Sequence, residues 1–209
     1  MTLPGRPLPD FDPETVKGFL ARDEAQALER HARAVTAEGP LVEIGSWCGR
    51  STVHIGRAAR EIGRLVYAVD HHRGSEEHQP GEGYHDPELF DAELGRVDTL
   101  PEFRRTIARA GLEDTVMALV GPSQTLGRAW RGPVSYLFID GGHAMETALG
   151  DYRAWTPHLA PGGTLLIHDV FPDPKDGGRP PYEIWKLAVA SGLFEPVERV
   201  SSLEVLRRL

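Results

Sequence analysis

Cysteine is almost missing from this chain: Cys48 is the only one in 209 residues. An internal disulfide is therefore excluded, and a reducing, cytoplasmic setting is expected. No apolar run approaches the roughly 18–20 residues a membrane helix needs. The first dozen residues, Met1 to Asp12, are proline-rich and lack an apolar signal core, so export is not expected. Basic charge is also short, with 23 Lys and Arg against 31 Asp and Glu and a net charge of −8. A basic face for sequence-independent nucleic-acid binding is not on offer. Two nucleotide signatures are absent as well. No Lys-Ser/Thr follows the glycines after the first strand, which excludes a P-loop. Where G-x-G-x-x-G would place its second glycine, this chain has Trp47.

What is present is an alternation. Ala25, Leu28, Ala32 and Val35 recur at helical spacing and predict an amphipathic helix over about 23–37, closed by Gly39-Pro40. Short apolar runs follow at Leu41–Ile44, Leu65–Val69, Val116–Val120, Val134–Ile139 and Thr164–Ile167. Such runs are typical of parallel strands buried on both faces. Helical patterns lie between them. Ser51–Ile62 is one; Leu100, Phe103, Ile107 and Ala110, closed by Gly111, form a second; Met145, Ala148, Tyr152, Trp155 and Leu159 form a third. Beyond a helix at 182–191, Phe194–Val200 and Leu203–Leu206 are joined by Ser201-Ser202 alone, which predicts an antiparallel pair. The expectation is an α/β fold with a Rossmann-like, doubly wound, seven-stranded sheet, mostly parallel and ending in an antiparallel hairpin. An N-terminal arm and helix (1–38) would pack on a core domain (39–209). Two segments are too long and too polar for plain connections: the His-rich 71–88 and the Pro/Gly-rich 171–182.

In open α/β sheets ligands lie beyond the carboxyl ends of the strands. Those ends carry Glu43, Asp70, Ser123, Asp140 and Asp169. Like charges gathered on one rim repel unless a ligand or cation compensates them. After the first strand, Gly45 and Gly49 let the backbone turn tightly and approach a ligand. Asp70 is placed to accept from ribose hydroxyls.

Glu43-x-Gly45-x-x-x-Gly49, Asp70 and the terminal hairpin resemble class I S-adenosylmethionine-dependent methyltransferases. Phe138-Ile139-Asp140-Gly141-Gly142-His143, with Pro161-Gly162-Gly163 and Ile167-His168-Asp169, is similar to the branch of macrolide-sugar O-methyltransferases and cephalosporin-hydroxylase-like proteins. The likeness spans roughly residues 40–209. It implies a methionine moiety near Glu43, Gly45 and Gly49, ribose at Asp70 and adenine near Ser123. Ser46, Ser51, His71 and Asp140 complete the cofactor-binding candidates. The resemblance further implies a magnesium ion on Asp140 and Asp169, with His168 counted among the metal candidates, and a histidine base at His143. One departure stands out. Related proteins often carry a second acid just before the residue matching Asp169; here it is His168, and magnesium prefers oxygen ligands.

The function this implies is O-methylation of a sugar or glycoside hydroxyl on a small or oligosaccharide acceptor, without nucleic acid or membrane. Asp140 and His143 are the catalytic candidates, and a homodimer is the expected assembly. An NAD-dependent oxidoreductase would share the sheet but needs G-x-G-x-x-G. A metal-dependent hydroxylase or hydrolase would use His143, His168 and Asp169 as a facial triad. A binding module that kept the cofactor fold without turnover is the third alternative. His71, His72, His78 and His85 are read as packing or loop residues, Cys48 as a buried filler, and Tyr182 and Trp185 as either acceptor-stacking or core side chains.

Overall fold

The computed structural model describes residues 7–173 and 175–209. The expected extended arm falls partly on residues 1–6, outside the described residues. From residue 22 the elements run α1 (Arg22–Arg33), β1 (Leu41–Ile44), α2 (Arg50–Glu61), β2 (Val66–Asp70), β3 (Phe90–Asp91), β4 (Arg96–Val97), α3 (Leu100–Arg109) and β5 (Val116–Val120). They continue through α4 (Ser123–Ala129), β6 (Val134–Ile139), α5 (Met145–Trp155), β7 (Leu159–Ile167), α6 (Pro180–Ala190), β8 (Phe194–Val200) and β9 (Leu203–Arg208).

Seven strands form one sheet in the order β5-β2-β1-β6-β7-β9-β8, and β3 with β4 makes a two-residue ribbon in the long loop. β1 pairs in parallel with both β2 and β6. The chain therefore winds outward one way from β1 and returns to wind the other way from β6. The crevice where the winding reverses opens beyond the carboxyl ends of those two strands. β9 runs antiparallel to both β7 and β8. The Rossmann-like, mostly parallel sheet with its antiparallel end is as the apolar runs predict.

Alternation along the strands builds two cores. Leu41, Tyr136, Phe138 and Leu166 face Leu28, Val53, Ile55 and Phe103 on one side. Val42, Leu137, Leu165 and Ile167 face Ala148, Trp155, Ile184 and Ala188 on the other. α1 belongs to the first layer, and the Tyr136 hydroxyl donates to the Leu28 carbonyl at 3.2 Å, tying helix to central strand.

Several elements differ from the sequence reading. α1 stops at Arg33 instead of near 37; Val35, the last residue of the expected stripe, packs on the core from beyond the helix. α5 ends at Trp155; Pro157 lies in a 3-10 turn, and Leu159, expected as the last residue of the stripe, opens β7 by pairing with Val134. β7 consequently begins five residues before Thr164. α4 is new: Ser-Gln-Thr-Leu-Gly-Arg-Ala is too short and too polar to show a stripe. Ser123, expected at a strand end, is thus the first residue of a helix.

Replacing Tyr136 with Phe removes one buried hydroxyl bond and leaves the ring. The expected cost is about 0.5–1.5 kcal/mol, read as a fall of about 2–4 °C in the thermal midpoint; an unchanged midpoint would show that the bond does not help dock α1.

Candidate active site

The loop leaving β1 turns through left-handed backbone at Gly45 (φ +87°), Trp47 (φ +47°) and Gly49 (φ +94°). Gly45 has no substitute: a Cβ there would lie 2.1 Å from the Asp140 carbonyl oxygen. The amide of Asp140 donates to the Ile44 carbonyl at 2.8 Å. The loops after β1 and β6 therefore lie wall to wall.

Glu43 points from β1 toward α2 and is fully buried. Its two carboxyl oxygens accept from Ser51 Oγ and Thr52 Oγ1, each at 2.5 Å, in the first turn of α2. Burial, with Asp140 and Asp70 nearby, pushes its pKa up to about 8 against the two hydroxyl bonds. At neutral pH this favours the protonated carboxyl, which ties β1 to the first turn of α2, the two elements that flank the glycine loop. Asp70, the last residue of β2, ties two loops together by accepting from the amides of Trp47 (2.8 Å) and His72 (2.7 Å). Ser46 Oγ is buried with no partner. A hollow of about 440 Å³ beside the β2 and β5 ends is lined by His71, Arg73, Val120, Gly121 and Pro122.

Ser123 lies behind this hollow, its Oγ accepting from Trp155 Nε1 at 2.9 Å. Asp151, a residue the sequence reading did not single out, faces the same region. Burial raises its pKa to about 6, its Oδ1 has no partner, and it lines a smaller hollow with Asp140, Gly141, His143 and His168.

Asp140, His168 and Asp169 converge, with donor atoms within 4.8 Å of one another. His168 is 4 % exposed. Its Nδ1 donates to Asp140 Oδ1 at 2.9 Å and lies 3.6 Å from Asp169 Oδ2. Its Nε2 donates to Glu24 Oε2 at 2.9 Å. Burial disfavours a charge on this ring, but Asp140, Glu24 and Asp169 outweigh it and raise the pKa well above the usual histidine range. Glu24, also unforeseen, comes from α1. Its Oε1 accepts from the amide (2.9 Å) and hydroxyl (2.7 Å) of Ser202 in the β8–β9 turn. Burial would raise Glu24, yet His168 and Ser202 hold it down at about 2. Both newcomers had a visible signal: Glu24 sits four residues before Leu28, and Asp151 four before Trp155, on the apolar stripes of their helices.

His143, in the loop after β6, places Nε2 3.1 Å from Asp169 Oδ2 and Nδ1 3.4 Å from Glu77 Oε1. The bond to Asp169 raises its pKa above the ordinary value although burial works against it. Burial likewise pushes Asp169 up, but His143 and His168 more than reverse that. Asp169 adopts φ +55°, a left-handed conformation uncommon outside glycine, which turns the chain sharply just beyond β7.

The long loop shuts one side. His78 stacks on Trp47 with centroids 4.2 Å apart, and Phe19 meets Tyr84 edge-on at 5.2 Å. His71 is exposed, its Nδ1 accepting from the Arg73 amide. His72 is buried against Phe103 and pairs with Thr99. His85 pairs with the His78 carbonyl. Tyr182 and Trp185 stack on each other at the α6 surface. Cys48 is fully buried, and burial pushes its thiol up to about 12.

A methyltransferase-domain family model matches residues 42–170, from the first strand to just past Asp169. The chain belongs to that family. Among curated proteins, catechol O-methyltransferase of Mycobacterium tuberculosis is 31 % identical over 130 residues, covering 62 % of this chain and 46 % of the relative. The chain thus spans about half the length of that relative. Among solved structures, the O-methyltransferase NovP matches with TM-score 0.69 and 19 % identity, over 89 % of this chain and 79 % of that one. An O-methyltransferase from Bacillus cereus, in complex with SAH, matches with TM-score 0.61 and 17 % identity, over 91 % and 83 %. The fold is that of the class I methyltransferases.

The Glu43 proton gives a test of the loop brace. The folded chain holds it up to about pH 8, while an unfolded chain releases it near 4.5. Folding stability contributed here therefore falls as pH rises between those values. Glu43→Gln, which mimics the protonated form, should flatten that fall and stabilise the chain at pH 8 by about 1–3 kcal/mol, measured by urea unfolding across pH. An unaltered pH slope would mean that Glu43 is ionised in the folded chain.

Proposed function

We propose that this chain transfers a methyl group from S-adenosylmethionine to a hydroxyl oxygen of a small acceptor, with a sugar or glycoside diol foremost and a catechol-like diol compatible. The observation that carries this is the shared wall. The Asp140 carbonyl that excludes a side chain at Gly45 belongs to the residue whose carboxylate joins His168 and Asp169. A donor lying on the glycine loop and an acceptor at the carboxylate cluster would therefore be neighbours, which is what in-line displacement requires. The named activity of the mycobacterial relative, a catechol O-methyltransferase, supports an oxygen acceptor with two adjacent hydroxyls.

The loop fits the donor. Gly45 offers backbone with no Cβ, Ser46 Oγ is a buried hydroxyl lacking a partner, and Asp70 stands at the ribose position of such sheets. The methionine moiety would meet the Gly45–Gly49 backbone. Glu43 and Ser51, bonded to each other, contribute by holding that backbone in place. The hollow at His71 and Gly121, with Ser123 behind it, is the space for adenine.

At the acceptor side, Asp140, Asp169 and His168 would hold a divalent cation. Such an ion lowers the pKa of a bound hydroxyl as it does that of water. The resemblance suggests magnesium, but this donor set includes a nitrogen. His143 in its neutral form, oriented by Asp169, is the group that takes the hydroxyl proton, and because its pKa is raised that form gains population as pH rises. As the acceptor oxygen gains the methyl carbon, the sulfonium bond breaks and His143 carries the proton away. The long loop, reaching His143 through Glu77 and Gly142 through Ser75, would exclude water from the reacting pair. No helix among the described residues is long and apolar enough to cross a membrane.

The test is turnover of tritiated S-adenosylmethionine with catechol and methyl glycosides bearing adjacent hydroxyls. His143→Gln should lower kcat about 10²–10⁴-fold while calorimetric affinity for S-adenosylhomocysteine stays within about twofold of the parent. EDTA should abolish methylation. Turnover that survives both changes would refute the assignment.

A further inference from the structure

We propose that the cation this site takes is a first-row transition ion of the manganese or cobalt kind, ligated by His168 Nδ1 together with Asp140 and Asp169, and not magnesium. The inference rests on the reading of a cation site given above and concerns which ion enters it.

His168 is held at both its backbone and its ring. Its backbone amide donates to the Ile139 carbonyl at 3.1 Å, so the residue is held beside the end of β6. The side chain is almost wholly buried, and its Nε2 is committed to Glu24 Oε2 at 2.9 Å. Glu24 cannot swing away, because Ser202 holds its other oxygen through two bonds and the Ala21 amide donates to Oε2 at 3.2 Å. A carboxylate only accepts, so Nε2 keeps its hydrogen and Nδ1 is the nitrogen left to act as a ligand. It points at Asp140 Oδ1 and Asp169 Oδ2, 2.9 and 3.6 Å away. Donors about 2.0–2.2 Å from a common ion lie about 3–4 Å from one another, so these separations suit a shared centre.

Carboxylate, imidazole, metal is a recurrent arrangement in which the outer carboxylate fixes the tautomer and makes the inner nitrogen a better donor. Glu24 supplies that outer group from α1, an element far from the rim in sequence. Without an ion the Nδ1 proton bridges to Asp140; an ion that takes the Nδ1 lone pair sends that proton to solvent. Magnesium demands oxygen ligands and dehydrates reluctantly, whereas first-row divalent ions accept an imidazole beside carboxylates, with affinity for such a nitrogen-bearing set rising from manganese through iron to cobalt. A second observation points to a ligand here: Asp151, 2 % exposed, lines the same hollow as Asp140 and His168 and has an oxygen with no partner.

The test uses the full chain stripped of metal. Calorimetric titration with manganese chloride and with magnesium chloride should give a manganese dissociation constant at least about 100-fold lower. Cobalt added in their place should produce a visible absorption band characteristic of nitrogen ligation. His168→Asp, which restores an all-oxygen set, should shrink the manganese preference at least tenfold and weaken that band. The parent ratio needs no variant, so a His168→Asp chain that fails to fold leaves the test intact. Magnesium bound as tightly as manganese by the parent would overturn this inference and leave the cation site standing. No binding of any of the three ions would overturn both.

Discussion

His168 lies between two carboxylates, and much of the site's geometry hangs on that contact. On one side is Glu24 of the first helix, on the other Asp140 beyond the central strand. Through Glu24 the contact reaches the turn of the terminal hairpin. One imidazole thereby joins the N-terminal helix, the rim of the parallel sheet and its antiparallel end. Such a buried arrangement is weak as a source of net stability, because each charge must be stripped of water. Its value is positional: removing any one member leaves a buried charge without its counterpart, at about 3–5 kcal/mol, so the members persist together in one geometry.

The rest of the rim follows from how this chain manages four carboxyl groups in a small volume. Glu43 is kept neutral by burial and braced by two hydroxyls. Asp70 is compensated by two backbone amides. Asp140 and Asp169 are balanced by His168 and His143. Among these four acids, Asp140 and Asp169 lie 2.9 and 3.1 Å from imidazoles that can exchange a proton for another cation, whereas His71 stays 3.9 Å from Asp70. The loop bearing Glu77 and His78 rests on the Gly-Gly turn and on Trp47, which covers one side of the crevice with aromatic surface.

The sheet was legible because burial on both faces forces continuous apolar runs, and Leu41–Ile44 and Val134–Ile139 are bounded as those runs predict; Val116–Val120 keeps the same bounds although it is an edge strand with exposed residues. Ends shaped by proline or by pairing were not: Pro157 stops α5 early, and the partner of Leu159 lies across the sheet. The candidate residues at strand ends, Asp70, Asp140 and Asp169, stood out through topology alone. Their partners did not. Glu24 reads as a solvated charge on an amphipathic helix until the hairpin turn folds over it, and Asp151 reads the same way on α5. Each breaks an apolar stripe, a signal that becomes specific only when the opposing surface is known. Thr52, which holds Glu43, carries no signal in sequence, since a threonine in the first turn of a helix is ordinary.

The central claim is that one rim serves a nucleoside and a cation side by side, with Asp140 as the wall they share and His168 fixing the cation side. Crystals grown with S-adenosylhomocysteine and manganese, measured at the manganese absorption edge, test it most directly. The account predicts a single anomalous peak enclosed by Asp140, His168 Nδ1 and Asp169, with the nucleoside on the Gly45–Gly49 loop. A map with no peak there, and His168 still bonded to Asp140, would contradict it.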